Sequence, residues 1–247
     1  MFIDSHAHLV DKNLADFIPN DDLDAIISSS YNASNIEKTL EIALKHEKCY
    51  ATLGIHPQFC DEYTNEIEKN IIKHKLQNKF VGIGEIGLDK HYNTDFSTQK
   101  IVFQKQLHLA QELQLPVVCH VRDCYETFFD IIRKHNNLKF MLHAFCGTKA
   151  DCFKAIELGG YISFACNITY KRHENLRKIA TAIPLEKILI ETDSPSMLPA
   201  EFMRKGFNTP NNVRFVAETI ARARNTSVEE IAQVTKQNAI ELFKLKL

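Results

Sequence analysis

The 247-residue chain reads as an α/β protein: a (β/α)8 TIM barrel forming a single domain over residues 1–247. Three observations carry that reading. Short apolar runs rich in β-branched residues alternate with amphipathic helical patterns from end to end, the order that produces a parallel sheet. Eight such units fit in about 250 residues, the usual length of this barrel. Imidazoles and carboxylates also recur at the C-terminal ends of the runs, where a barrel gathers its site. An open, doubly wound sheet is the alternative, because a miscount of one or two short strands would change the architecture.

The first strand is "FIDSHA". Asp4, His6 and His8 are spaced by two, so all three are expected on one side. "AIISSS" is the second strand, followed by the helical "NIEKTLEIALKH". "CYATLGI" is the third; it runs into "GIHP" with His56, then the helical "TNEIEKNIIKHKLQ". The fourth, "KFVGIGEI", carries Glu85. Gly82, Gly84 and Gly87 around it are expected to allow close helix–strand packing, since no nucleotide-binding spacing follows. The helical "STQKIVFQKQLHLAQELQ" turns Val102, Leu109 and Leu113 inward. "PVVCHV" contributes His120, with Arg122 two residues on and sharing its face, before "CYETFFDIIRKHN". "KFMLHA" ends at His143 and precedes "TKADCFKAIELGG"; "YISFA" precedes "HENLRKIATAI". "KILIETD" is the eighth strand and ends at Asp193, with Glu191 in the same parity. Two helices follow, "NNVRFVAETIARARN" and "SVEEIAQVTKQNAIELFK", the second with Ser227 as N-cap and Glu229 and Glu230 in its first turn. No repeat, low-complexity segment or composition break marks a domain boundary.

Composition narrows the function classes. The chain is 45% hydrophobic and 25% charged with a net charge of -1, without the basic excess usual in a protein that grips duplex nucleic acid along a broad face. A polyanion must therefore be held locally. No apolar run is long enough to cross a bilayer, and the chain is expected to carry no secretory leader, since "MFIDSHA" lacks the basic, apolar and small-residue pattern of one. The seven cysteines lack paired spacing and are expected as free thiols in a reducing compartment, which sets the cytoplasm as the expected address. Cys119 and Cys146 are expected to pack rather than bind metal.

Four histidines (His6, His8, His120, His143) with Glu85 and Asp193 are nitrogen and oxygen donors suited to zinc, manganese, nickel or iron, with magnesium possible at a carboxylate-rich half. Six ligands exceed what one open catalytic ion needs. Two divalent ions sharing a carboxylate, about 3.5 to 4 Å apart, can activate a bridging water and stabilise charge on a substrate oxygen. Asp4 and Glu191 are each expected either to orient a ligand or to form a structural pair. Arg122 is placed to meet an anion bidentately, unless the adjacent Asp123 neutralises it. Lys90, Lys171, Arg172, Arg204 and Lys205 fall on the mouth side and can concentrate positive charge there; Tyr92, Phe145 and Phe207 are candidates to stack bases.

"DSHAHL", "GIHP", "GEIGLD", "CHVRD", "LHAFCG", "YISF", "ETDSP" and "NTPNNV" occur in an order and spacing that resembles the TatD-like metal-dependent deoxyribonuclease family, over essentially the whole chain. The resemblance implies a barrel hydrolase of the amidohydrolase-like group that cleaves single- or double-stranded DNA. It implies that His6, His8, Glu85 and Asp193 hold one ion and that Glu85, His120 and His143 hold the other. His56 and Arg122 would lie near the substrate phosphate. Asp193 is expected to take the proton of the attacking water. The chain departs from the family pattern at "HAFCG", where a "HCFSG"-like run is usual, and at "LDKHYN", where a shorter aromatic pair is typical. Two rivals stay open: the same site acting on an ester or amide, as in an aminoacyl-tRNA deacylase, and a metal-stabilised barrel that binds without turnover.

Overall fold

The computed structural model describes residues 1–14, 17, 19–203 and 206–247. Arg204 and Lys205, expected on the mouth side, lie outside the described residues. Eight strands form one parallel sheet in chain order: β1 (Phe2–Ala7), β2 (Leu23–Ser29), β3 (Cys49–Leu53), β4 (Phe80–Asp89), β5 (Val117–Arg122), β6 (Phe140–Leu142), β7 (Gly160–Phe164) and β8 (Ile188–Ile190). Beyond β8 the chain returns to β1 through an Ala7–Ser194 bridge and through Asp193 N–H, which donates to the His6 carbonyl at 3.1 Å. These contacts close the sheet into the expected barrel. The helices α1 (Ile36–Lys45), α2 (Asn65–Ile72), α3 (Phe96–Leu113), α4 (Tyr125–Ile132), α5 (Lys149–Glu157) and α6 (Glu174–Ala182) each follow a strand from β2 onward. Between β1 and β2 the described residues hold only a 3-10 turn, Lys12–Leu14. After β8 come α7 (Val213–Arg224) and α8 (Val228–Phe243), and α8 packs against both β8 and β1. Ser227 caps α8 as expected, its hydroxyl accepting from Glu230 N–H at 3.1 Å.

Strand alternation produces two apolar layers. One residue from each strand (Ile3, Ile27, Tyr50, Val81, Val118, Met141, Tyr161, Leu189) joins a single buried cluster with Leu242 and Phe243 of α8. Only the barrel interior can bring eight strands together in this way, so the end of α8 closes its floor. The neighbouring strand positions, such as Ile26, Cys119, Leu142, Ile162 and Ile190, pack outward with helix residues including Leu40, Leu107 and Phe128. Two residues farther along the interior parity the lining turns polar: Ser5, Ser29, Thr52, His120, His143, Ser163 and Glu191. The site is therefore the next layer up on an apolar plug.

Two local expectations are corrected. The β1–β2 pairing slips between Asp4 and Ala7, which breaks the period of two. Asp4 does not share the side of His6 and His8: its carboxylate accepts from Thr192 N–H at 2.9 Å, the Thr192 hydroxyl at 2.6 Å and the His6 backbone N–H at 3.3 Å. It fixes backbone where β1 meets the end of β8. The glycines of β4 serve neighbouring strands more than helices. A Cβ at Gly84 would lie 2.6 Å from Val118 Cβ, and one at Gly87, where φ is +149°, would lie 1.9 Å from the His120 carbonyl oxygen.

Candidate metal centre

The six expected ligands meet at the barrel mouth, although they do not all end strands. His8 and His143 follow their strands by one residue and Asp193 follows β8 by three, while Glu85 and His120 lie within β4 and β5. Glu85 stands at the centre. Its Oε2 is 3.4 Å from His6 Nε2 and 3.3 Å from His8 Nε2. Its Oε1 is 3.0 Å from His120 Nδ1 and 2.9 Å from His143 Nε2. Asp193 Oδ1 completes the first group, 3.6 Å from both His6 Nε2 and His8 Nε2, and the two imidazoles are 3.2 Å apart. An ion with bonds of about 2.1 Å sets tetrahedral ligands about 3.4 Å apart, so these four atoms are spaced to surround one. His120 Nδ1 and His143 Nε2, 3.1 Å apart, form with Glu85 Oε1 a tighter trio of the same donor types.

The far sides of the imidazoles test whether this set fits metal. His8 Nδ1 faces the Ser29 carbonyl at 3.0 Å, His120 Nε2 faces Asp89 Oδ2 at 2.7 Å and His143 Nδ1 faces Glu191 Oε1 at 3.3 Å. Each of these partners accepts, so each of those nitrogens carries a proton, and in a neutral ring the converging nitrogen offers a lone pair. His6 Nδ1 lies 3.0 Å from the Ser29 hydroxyl, which in turn lies 2.7 Å from Thr52 Oγ1. The donor set and its orientation fit divalent ions.

His56 behaves differently. It follows β3 and caps the 3-10 turn Pro57–Glu62, its Nδ1 accepting from Gln58 N–H at 3.1 Å. Burial drives its pKa down to about 3 against the pull of Glu85, so the ring is neutral. An accepting Nδ1 then puts the proton on Nε2, which lies 3.5 Å from Glu85 Oε1. In this tautomer His56 is a hydrogen-bond donor at the site, even though its position beside Glu85 and His120 would suit a ligand.

The ion-free site is strongly coupled. Burial opposes ionisation of Glu85, but the charge of His143 and hydrogen bonds from His120 and His143 hold its carboxyl well below the usual range. Burial would lower His8, yet bonds to Asp193 and Glu85 raise it to about 10. Burial would likewise lower His120 and His143; the carboxylates of Asp89, Glu85 and Glu191 reverse the direction at both. At His6 burial wins, with the help of His143, and the pKa falls. Asp193 is held low despite burial by its bond to His8. Its φ of 54° lies in the left-handed region, where aspartate is among the better tolerated residues.

His8, Glu85, His120, His143 and Asp193 floor a cavity of about 530 Å³ that Arg122, Tyr92, Tyr31, Phe59 and Asn167 also line, with His6 buried beneath it. Arg122 is exposed, and its neighbour Asp123 pairs with His91 instead. Lys171 and Arg172 are not among the lining residues: Lys171 borders a separate depression with Arg177 and Arg222, and Arg172 stacks on Tyr170 with its Nε donating to His173. Phe145 is buried and so does not stack, and Phe207 is exposed away from the cavity wall. Cys146, expected to pack, is exposed and lines the cavity, whereas Cys119 is buried; all seven cysteines are free.

Several supporting residues escaped the sequence reading. Gln106 brackets Ile55, accepting from its N–H at 2.8 Å and donating to its carbonyl at 3.0 Å; Gln99 does the same for Asp89 at 2.9 and 3.0 Å. Both glutamines are buried on α3, and buried amides in an amphipathic helix are the signal that could have found them. Glu191, which the strand parity did mark, accepts from Ala144 N–H at 2.7 Å as well as meeting His143.

Comparison with known proteins shows the family to which the chain belongs. The model of the family described as TatD related DNase matches residues 3–244. An uncharacterized metal-dependent hydrolase of Bacillus subtilis, YabD, is 31% identical over 99% of this chain and 100% of its own length. A Salmonella typhimurium protein named 3'-5' ssDNA/RNA exonuclease TatD is 33% identical, covering 87% of this chain and 85% of its own. The crystal structure of YjjV, a TatD homolog from Escherichia coli, superposes with a TM-score of 0.90 at 27% identity, covering 99% of this chain and 98% of that one.

Proposed function

Because the chain belongs to the TatD-related DNase family, it is a metal-dependent hydrolase, and we propose that it hydrolyses phosphodiester bonds at the end of a DNA single strand with two divalent ions bound. The observation that carries this reading is the division of Glu85, one oxygen toward His6 and His8 and the other toward His120 and His143. In this reading His6, His8, Glu85 and Asp193 hold one ion, and Glu85, His120 and His143 hold the other. Zinc, manganese, magnesium and nickel all suit such a donor set. Divalent ions there supply Lewis acidity and acidify a bound water toward neutral pH.

The chain's own groups do the rest. Asp193 stays ionised because His8 holds its pKa low. Its Oδ2 has no protein partner among the described residues, so it can accept the proton of the attacking water. Arg122, with Asp123 drawn away by His91, can meet a phosphate with both guanidinium nitrogens. Neutral His56 offers its Nε2–H to a phosphate oxygen. Lys171 and Arg172 would act farther out, along the strand. The relatives named 3'-5' ssDNA/RNA exonuclease support a single-stranded end as the substrate, as does a site buried at the bottom of a cavity, where a stacked, paired nucleotide does not reach.

The test is hydrolysis of end-labelled single- and double-stranded DNA by the purified chain, with each divalent ion in turn and after chelation. Metal-dependent stepwise shortening of the single strand supports the proposal. Turnover of esters or amides with no cleavage of either DNA would replace it with the deacylase reading.

A further inference from the structure

Two features of the cavity take no part in holding ions or moving the proton. The first is an aromatic pair. Tyr31 follows β2, and Phe59 sits in the turn Pro57–Glu62; both are half-buried and line the cavity. The bonds that place His56 also place them: His56 N–H donates to the Tyr31 carbonyl at 2.9 Å, and Phe59 N–H donates to the His56 carbonyl at 2.9 Å. The Tyr31 and Phe59 rings are tilted by 37° with centroids 5.8 Å apart, and Tyr31 meets His8 at 83°. Both rings belong to the cavity lining, beside His8, Glu85 and His120.

The second feature is Asn167, in the turn Cys166–Thr169 that follows β7. It lines the same cavity and is 7% exposed, and its Oδ1 has no hydrogen-bond partner among the described residues. A buried acceptor is costly to leave unpaired. Strand β7 supplies none of the six ligand candidates, so Asn167 is the polar group this sector presents.

We propose that these features form a seat for the terminal nucleotide, with Tyr31 and Phe59 stacking its base and Asn167 Oδ1 accepting from the free 3′ hydroxyl of its sugar. The inference rests on the nuclease reading above. Every base has a π face, so the aromatic pair recognises a nucleotide without selecting a sequence. Phosphate diesters only accept hydrogen bonds, which excludes them as the partner of Asn167 Oδ1. Base N–H groups differ among the four bases, whereas the terminal hydroxyl is common to every strand end. A seat built this way measures an end rather than a sequence.

The experiment uses the full, metal-loaded chain and 5′-labelled single strands with three 3′ ends: intact, abasic and 3′-deoxy. Wild type should remove the intact end about 5- to 150-fold faster than the abasic one, and about 2- to 12-fold faster than the 3′-deoxy one. Tyr31→Ala or Phe59→Ala should shrink the first preference and keep the second; Asn167→Ala should do the reverse. Far-ultraviolet dichroism and bound metal matching wild type identify variants that fold. Preferences that survive these substitutions overturn the proposal. So does a wild-type chain that removes all three ends alike, a result that needs no variant and leaves the nuclease reading intact. A wild-type chain that hydrolyses a p-nitrophenyl phosphodiester but no oligonucleotide refutes the nuclease reading, and the seat with it.

Discussion

Replacing Asp89 with Asn should weaken one ion and spare the other. Asp89 is fully buried, with Oδ2 2.7 Å from His120 Nε2 and Oδ1 accepting from His91 N–H at 2.6 Å. Both partners donate, and a carboxylate accepts from both. An amide has one accepting oxygen. If it faces His91 N–H, its NH2 meets the protonated Nε2 of His120, which must then lose that proton and move it to Nδ1, the nitrogen needed for the ion. If it faces His120, its NH2 opposes a backbone N–H. Either the ligand lone pair on Nδ1 is lost or a donor is left unpaired, the latter at about 1 to 3 kcal/mol, which agrees with the 10- to 100-fold loss of affinity usual when a ligand's supporting group is removed. The first group of ligands, backed by Ser29 rather than Asp89, should be untouched. Calorimetric titration of the ion-free chain, with bound ions counted by elemental analysis, should show one site near wild type and one weakened by about 10- to 100-fold. Wild-type affinity at both sites, or equal losses at both, would refute the assignment of His120 to a separate ion.

Chelation should abolish hydrolysis and leave far-ultraviolet dichroism native, because the apolar plug below the mouth contains none of the ligands. Asp193→Asn keeps an oxygen donor but cannot take a proton; single-turnover rates should fall by at least about 100-fold with most metal retained, and a near-normal rate would move the base elsewhere. Metal affinity should rise with pH. His8 is held at about 10 in the ion-free site, so it carries a proton at neutral pH that the ion must displace, and each unit of increase below that value favours binding by up to about tenfold per proton released. Titrations at about pH 6.5 and about pH 8.5 in buffers of different ionisation enthalpy check both the slope and the released protons; an affinity flat across that range would contradict it.

The barrel was legible because its strands are short, β-branched and regularly spaced, and because the period of two that buries Val118, Met141 and Leu189 also points His120, His143 and Glu191 into the mouth. That same period misled at Asp4, where a slip in pairing between β1 and β2 is invisible in composition. The candidate ligands could be collected from the polar residues in or just after the apolar runs, but the division of Glu85 between two groups depends on side-chain torsions that no spacing encodes. Asp89 falls beyond the fourth run "KFVGIGEI" as read from the sequence, yet it ends β4 and backs His120. Gln99 and Gln106 sit where α3 was expected to be merely amphipathic. Lys171 and Arg172 were read from their position after β7; the turn that follows carries them away from the cavity wall, a path set by Arg177 donating to the Ile168, Tyr170 and Lys171 carbonyls.

Glu85 is the residue on which the whole arrangement depends, so counting ions in wild type and in Glu85→Ala tests it most directly. Elemental analysis of chains dialysed against buffered metal, with dichroism to confirm folding, makes the comparison. Two ions per wild-type chain, both lost or severely weakened by the single substitution, is the result expected of a carboxylate shared between sites. One ion per wild-type chain, or two retained by Glu85→Ala, would contradict a two-ion centre bridged by Glu85.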